Sequence, residues 1–113
     1  MRTLLGSIVM SALSLVSSPV NAGQQMLASW YGPGFQGNYT ANGEIYNMHG
    51  FTAAHKTLPF GTKLRVCYNG CVDVRINDRG PFIGGRQLDL SQGAAAQIGL
   101  LGVGVDYVTV SYL

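Results

Sequence analysis

Five carboxylate side chains occur in the 113-residue sequence: Glu44, Asp73, Asp78, Asp89 and Asp106. Asp106 opens a terminal strand pattern and reads as solvated. Asp73 falls opposite Arg65 in a hairpin and reads as its ion-pair partner. Three candidates for acid–base work remain. Glu44, the sole glutamate, follows the Gly/Asn/Tyr-rich segment Tyr39-Thr40-Ala41-Asn42-Gly43. Asp78 stands where an apolar strand runs into Asn77-Asp78-Arg79-Gly80-Pro81. Strand ends and loops on a rigid scaffold are where reactive groups are commonly held, although Asn-Asp and Gly-Pro also form ordinary turns. Asp89, in Gln87-Leu88-Asp89-Leu90-Ser91, precedes a helix pattern and could equally cap it. Of the two histidines, His49 reads as an exposed loop residue, and His55 lies on a small-residue strand leading into a turn. Paired carboxyls with a histidine suit glycosidic chemistry, where one carboxyl protonates the leaving oxygen. A second carboxylate nearby raises the first one's pKa and keeps its proton in place. Trp30, Tyr31 and Tyr39 could stack on sugar faces, with core packing the competing role, especially for Trp30.

The elements that must position these groups are mostly strands. Residues 62–67 and 71–77 alternate around Tyr68-Asn69-Gly70, a hairpin turn. If Cys67 faces Cys71, then Val66 faces Val72, Arg65 faces Asp73 and Leu64 faces Val74, which gathers the apolar side chains on one face. The two cysteines, in an exported chain, read as one disulfide clipping the hairpin tip. Residues 25–31, 51–54 and 105–113 give further strands, the last with Val108, Val110 and Tyr112 on one face. Residues 32–43 form an irregular loop, and 58–61 a turn. Residues 91–98 make the best helix, capped by Ser91, filled by alanines and ended by Gly99. A mainly β chain with one or two short helices closes its edges most simply as a small barrel.

The first 22 residues have the grammar of a cleavable export signal. A basic Met1-Arg2 start precedes an apolar run, and Val20-Asn21-Ala22 sets small residues at the cleavage site. The apolar run is shorter than the ~20 residues of a membrane span. The expectation is a mature protein beginning at Gly23, periplasmic or secreted, with no stable membrane anchor and acting as a monomer. The formal net charge is +2, too little for the basic face of a nucleic-acid binder. No Cys/His cluster suggests zinc, so neither metal nor cofactor is expected.

The sequence resembles the rare lipoprotein A family of endolytic peptidoglycan transglycosylases. The resemblance is carried by Ala28-Ser29-Trp30-Tyr31-Gly32, Thr40-Ala41-Asn42-Gly43-Glu44, the run from Thr52 to Thr62, the run from Val74 to Phe82, and Leu88-Asp89-Leu90-Ser91. It implies a six-stranded double-psi β-barrel over 23–113. It also implies cleavage of peptidoglycan glycan strands, preferentially peptide-free, to 1,6-anhydro-muramic acid ends. The family's functional positions fall on Glu44, His55 and Asp78. The Leu88–Ser91 segment is similar to the Phe-Asp segment of expansins and of membrane-bound lytic transglycosylase A, which keeps Asp89 in the site, ranked below Asp78. Tyr31, Tyr39, Asn42, Asn77 and Arg79 are expected to bind substrate. Many relatives carry a lipobox cysteine, a C-terminal peptidoglycan-binding repeat, and an acid three residues after the glutamate; Asn47 holds that last position here. Asp78 is the leading acid/base candidate, with Glu44 a second carboxylate tuning it or stabilising charge, and His55 orienting the acid or binding sugar hydroxyls. All four groups are expected to converge on one groove. The alternatives are an expansin-like module that binds and loosens wall polysaccharide without cleavage, or an effector-like domain binding protein or chitin.

Overall fold

A computed structural model of the protein describes residues 23–113; the expected export signal, 1–22, lies outside the described residues. Six strands are present: β1 (Gln24–Tyr31), β2 (Thr52–His55), β3 (Lys63–Cys67), β4 (Cys71–Asp78), β5 (Leu88–Ser91) and β6 (Asp106–Tyr112). They close in the order β1-β5-β2-β4-β3-β6. β1·β5 and β2·β4 are parallel and the other pairs antiparallel, giving the closed mixed double-psi barrel.

Alternation along the strands fills the interior. Met26, Ala28, Ala53, Leu64, Val66, Val72, Val74, Ile76, Leu88, Leu90, Val108 and Val110 are all buried, each large aliphatic among them contributing ~1.5–3 kcal/mol relative to exposure. Tyr112 remains partly exposed at the end of β6. The β3–β4 register pairs Cys67 with Cys71, Val66 with Val72, Arg65 with Asp73 and Leu64 with Val74, as the alternation requires. Cys67 and Cys71 are disulfide-bonded. Arg65 grips Asp73 through Nε at 2.8 Å and Nη2 at 3.0 Å.

Among the described residues one α-helix, α1 (Gln92–Ile98), packs Ala94, Ala95 and Ile98 inward. Ser91 Oγ accepts from the Ala94 amide at 3.2 Å. Gly99 ends the helix at φ +79°, a conformation that suits glycine. A 3₁₀ turn, Pro33–Phe35, lies inside the irregular loop.

Two departures from simple alternation build the site. The segment before α1 is a strand, β5, hydrogen-bonded between β1 and β2. Leu88 and Leu90 fill the barrel, and Asp89 faces the other way. In β4, Ala53 pairs with Ile76 but Ala54 pairs with Asp78, so Asn77 is an extra, bulged residue. Without the bulge, Asp78 would follow Val72, Val74 and Ile76 into the core; a bulge of this kind re-aims the next side chain.

Candidate active site

The registers place Ser29, Asp89, Ala54 and Asp78 side by side across four neighbouring strands. The two aspartates therefore stand on alternate strands, roughly 10 Å apart at the backbone given the ~4.8 Å strand spacing. Alanine between them leaves space. A groove of about 210 Å³ opens there, floored by Ala54, Asp78 and Asp89, with Tyr31, Arg79 and Phe82 around it. Gly80, at φ +119°, and Pro81 form one wall. A larger depression of about 470 Å³, lined by Phe51, Lys63, Asp73 and Arg75, has no such carboxyl pair, since its Asp73 is committed to Arg65.

Asp78 is held from three directions. Oδ1 accepts from the Ala41 and Arg79 amides, each at 2.9 Å, and Oδ2 accepts from the Tyr31 hydroxyl at 3.2 Å. Tyr31 is fixed in turn by stacking on Tyr46, with ring centroids 4.5 Å apart, and by an edge contact with Phe35. Tyr46 is almost completely buried; its hydroxyl donates to the Tyr31 carbonyl and accepts from the Gln92 amide. Burial, with the Asp78 and Tyr46 charges adding, pushes the Tyr31 hydroxyl far above its usual value, so it stays a donor.

Asp89 has one side-chain partner, the Ser29 hydroxyl at 2.9 Å. Burial raises its pKa, and the Asp78 charge adds to the rise. The Ser29 bond and the Arg86 charge oppose it. A carboxyl so placed retains its proton to higher pH than an exposed one.

Glu44 sits to the side, on the hairpin closed by the Tyr39–Ile45 bridge. Arg75 grips it bidentately. Asn42 Nδ2 donates at 2.8 Å and Asn77 Nδ2 at 3.2 Å. The Arg75 contact first, then Asn42, holds its pKa down to about 2. Glu44 is thus a fixed anion, with its carboxylate fully engaged. Asn42 spends its side chain within the hairpin, on Thr40 and Glu44. Asn77, the bulged residue, is buried and faces Glu44, leaving its Oδ1 without a partner. Tyr39 is an exposed aromatic.

His55 Nδ1 accepts from the Thr57 and Leu58 amides, each at 3.1 Å, which leaves the ring proton on Nε2. Burial, then Arg79 and Lys56, lowers its pKa. Its ring thereby shapes the turn after β2 and makes no hydrogen bond to any of the three acids. Arg79 ties itself to the same turn, donating to the His55 and Leu58 carbonyls, with its guanidinium 4.0 Å above the Phe60 ring. Trp30 packs against the core and donates to the Leu101 carbonyl. Of the four groups expected to converge, the groove unites Asp78 and Asp89; Glu44 and His55 do not line it, being engaged by Arg75 and by the turn after β2.

A family described as lytic transglycolase matches residues 23–110. The chain belongs to that family. It is 60% identical over 87 residues to the probable endolytic peptidoglycan transglycosylase RlpA of Synechocystis, covering 74% of this chain and 27% of the relative. It is 57% identical over 81 residues to the endolytic peptidoglycan transglycosylase RlpA of Campylobacter jejuni, covering 69% and 30%. The chain thus spans under a third of the length of these curated relatives. Among solved structures, the Streptomyces papain inhibitor superposes with a TM-score of 0.63 at 26% identity, over 84% of this chain and 99% of the inhibitor. An expansin of Clavibacter michiganensis superposes with a TM-score of 0.65 at 22% identity, over 80% of this chain and 50% of the expansin, and shows the shared fold.

Several residues of this lytic transglycolase domain were not legible as site residues. Ala54, Ser29 and Tyr46 carry no chemical signal of their own and matter through register and packing. Phe35 and Phe82 line the groove and remain largely exposed. Phenylalanine set beside the glycines of Gly32–Gly34 and Gly80-Pro81 is the one sequence signal that could have found them.

Proposed function

We propose that this domain cleaves the glycan strands of peptidoglycan as a lytic transglycosylase. The observation that carries the reading is the row Ser29–Asp89–Ala54–Asp78: two carboxyls flank a groove sized for a sugar, one of them lifted by burial. Family membership supports the substrate class.

Sequence ranks Asp78 first; the electrostatics favour Asp89 as the proton carrier. Asp89 protonates the glycosidic oxygen as the bond to the anomeric carbon breaks. Asp78, oriented by its three donors, stabilises the positive charge developing on the ring and helps keep the proton on Asp89. The sugar's own 6-hydroxyl then closes on the anomeric carbon, and the Asp89 carboxylate takes its proton. The acid is regenerated, no water is consumed, and a 1,6-anhydro end results. Phe35 and Phe82 offer stacking faces along the strand, and Tyr39 a further one beyond the groove.

The action is on wall glycan outside the cytoplasm, with residues 1–22 serving as export signal and 23–113 as the catalytic domain. The test is incubation of the mature domain with peptide-free glycan strands, followed by mass spectrometry. Anhydro ends support the proposal. Reducing ends would mean hydrolysis, and binding without any new ends would favour expansin-like action.

A further inference from the structure

The Glu44 hairpin reaches the site through its backbone. Thr40 N–H donates to the Glu44 carbonyl at 2.7 Å, closing the hairpin, and this presents the Ala41 amide to Asp78 Oδ1 at 2.9 Å. Against β4 the hairpin has one backbone bond, from the Asn42 amide to the Asn77 carbonyl at 3.2 Å. The Glu44 carboxylate adds the hydrogen bonds it accepts from Arg75 and Asn77 of β4. Arg75 stands on the strand three residues before Asp78 and outside the groove lining.

We propose that Arg75 is a positioning residue: by gripping Glu44 it clamps the hairpin to β4 and so holds the Ala41 amide on Asp78. The inference rests on the transglycosylase reading for its effect on rate, but not for its geometry. It gives Glu44 a role through Arg75 and the loop backbone, distinct from proton transfer. The pair is partly exposed, with side chains 40% and 37% accessible, and such pairs add little to global stability. Breaking it therefore loosens a loop without unfolding the barrel. A displacement of about 1 Å at a reacting group can cost ~10²-fold in rate.

The test is a double-mutant cycle with Arg75→Ala, Glu44→Ala and the pair together, with Arg75→Lys as the conservative variant. Each single variant is expected to lower kcat at least ~10-fold while the melting temperature moves by less than ~8 °C. The double variant should be no worse than either single, because both remove one clamp. Arg75→Lys should recover part of the rate. Independently of any substrate, amide hydrogen exchange at Ala41 should speed in Arg75→Ala while the β3–β4 amides stay protected. Unchanged Ala41 exchange would overturn the clamp, whether or not the domain cleaves glycan. If the parent cleaves, an Arg75→Ala rate equal to the parent's, or a fully additive double variant, would overturn it as well. If the parent makes no anhydro ends, the transglycosylase reading fails and the exchange result alone decides the clamp.

Discussion

Replacing Tyr31 by phenylalanine deletes one hydroxyl from the candidate site and little else. The ring can keep its stack on Tyr46, centroids 4.5 Å apart and planes inclined by 16°. What disappears is the donor to Asp78 Oδ2 at 3.2 Å. A hydrogen bond to a charged group contributes ~1.5–3 kcal/mol. This one is longer than the ~2.5–2.7 Å of a strong charge-assisted O–H···O bond, so the lower end applies. At ~1.4 kcal/mol per factor of ten, kcat should fall about 10-fold with KM nearly unchanged. Asp78 keeps its two backbone donors, so the loss should not be total. The assay is the initial rate of anhydro-end formation on peptide-free strands, with a melting curve to show that the barrel is intact. A folded Tyr31→Phe variant at the parent rate would refute Tyr31 as an orienting donor. A loss beyond ~10³-fold, more than one hydrogen bond can supply, would show the hydroxyl acting on the reacting atoms instead.

Asp89→Asn should abolish cleavage yet leave the melting temperature at pH 7 equal to or above the parent's. Asp89's pKa is raised in the folded state, so the parent's stability falls as pH rises from the ordinary carboxylate range through the raised value; Asn keeps an acceptor for Ser29 and avoids a desolvated charge. Ala54→Leu should fill the gap between the two carboxyls and raise KM for glycan strands steeply with both aspartates intact, at an overpacking cost of ~1–3 kcal/mol, measurable by strand binding and melting. Replacing Cys67 and Cys71 by serine opens a loop of sequence separation 4, worth about 2 kcal/mol in the chain-entropy description. The melting temperature should fall ~8–16 °C while activity at 25 °C stays near the parent's.

The hairpin of β3 and β4 could be read residue by residue, because alternation, the cysteine pair and the Arg65–Asp73 pair all imply one register. The helix was equally legible from Ser91 and Gly99, whose cap geometries are local. Asp89 was harder. A strand of four residues has too little alternation to separate it from a helix entry, and its place beside Ser29 and Ala54 comes from parallel pairing of distant segments. The bulge at Asn77 has no local marker either, although it decides which way Asp78 points. Glu44 was legible as important by resemblance, while its commitment to Arg75 follows from how a hairpin 31 residues earlier in the chain docks on β4.

Joint action of Asp78 and Asp89 across one groove is the core of the proposed mechanism. Its most direct test is the pH profile of anhydro-end formation by the parent and by Asp78→Asn, with folding checked by circular dichroism. Joint action predicts that Asp78→Asn lowers the maximal rate at least ~100-fold, as loss of charge stabilisation at the reacting centre does. It also predicts that the alkaline limb of the residual activity moves to lower pH, because Asp89 loses the neighbouring charge that helps hold its proton. Parent-like rate with an unmoved alkaline limb in folded Asp78→Asn would contradict it.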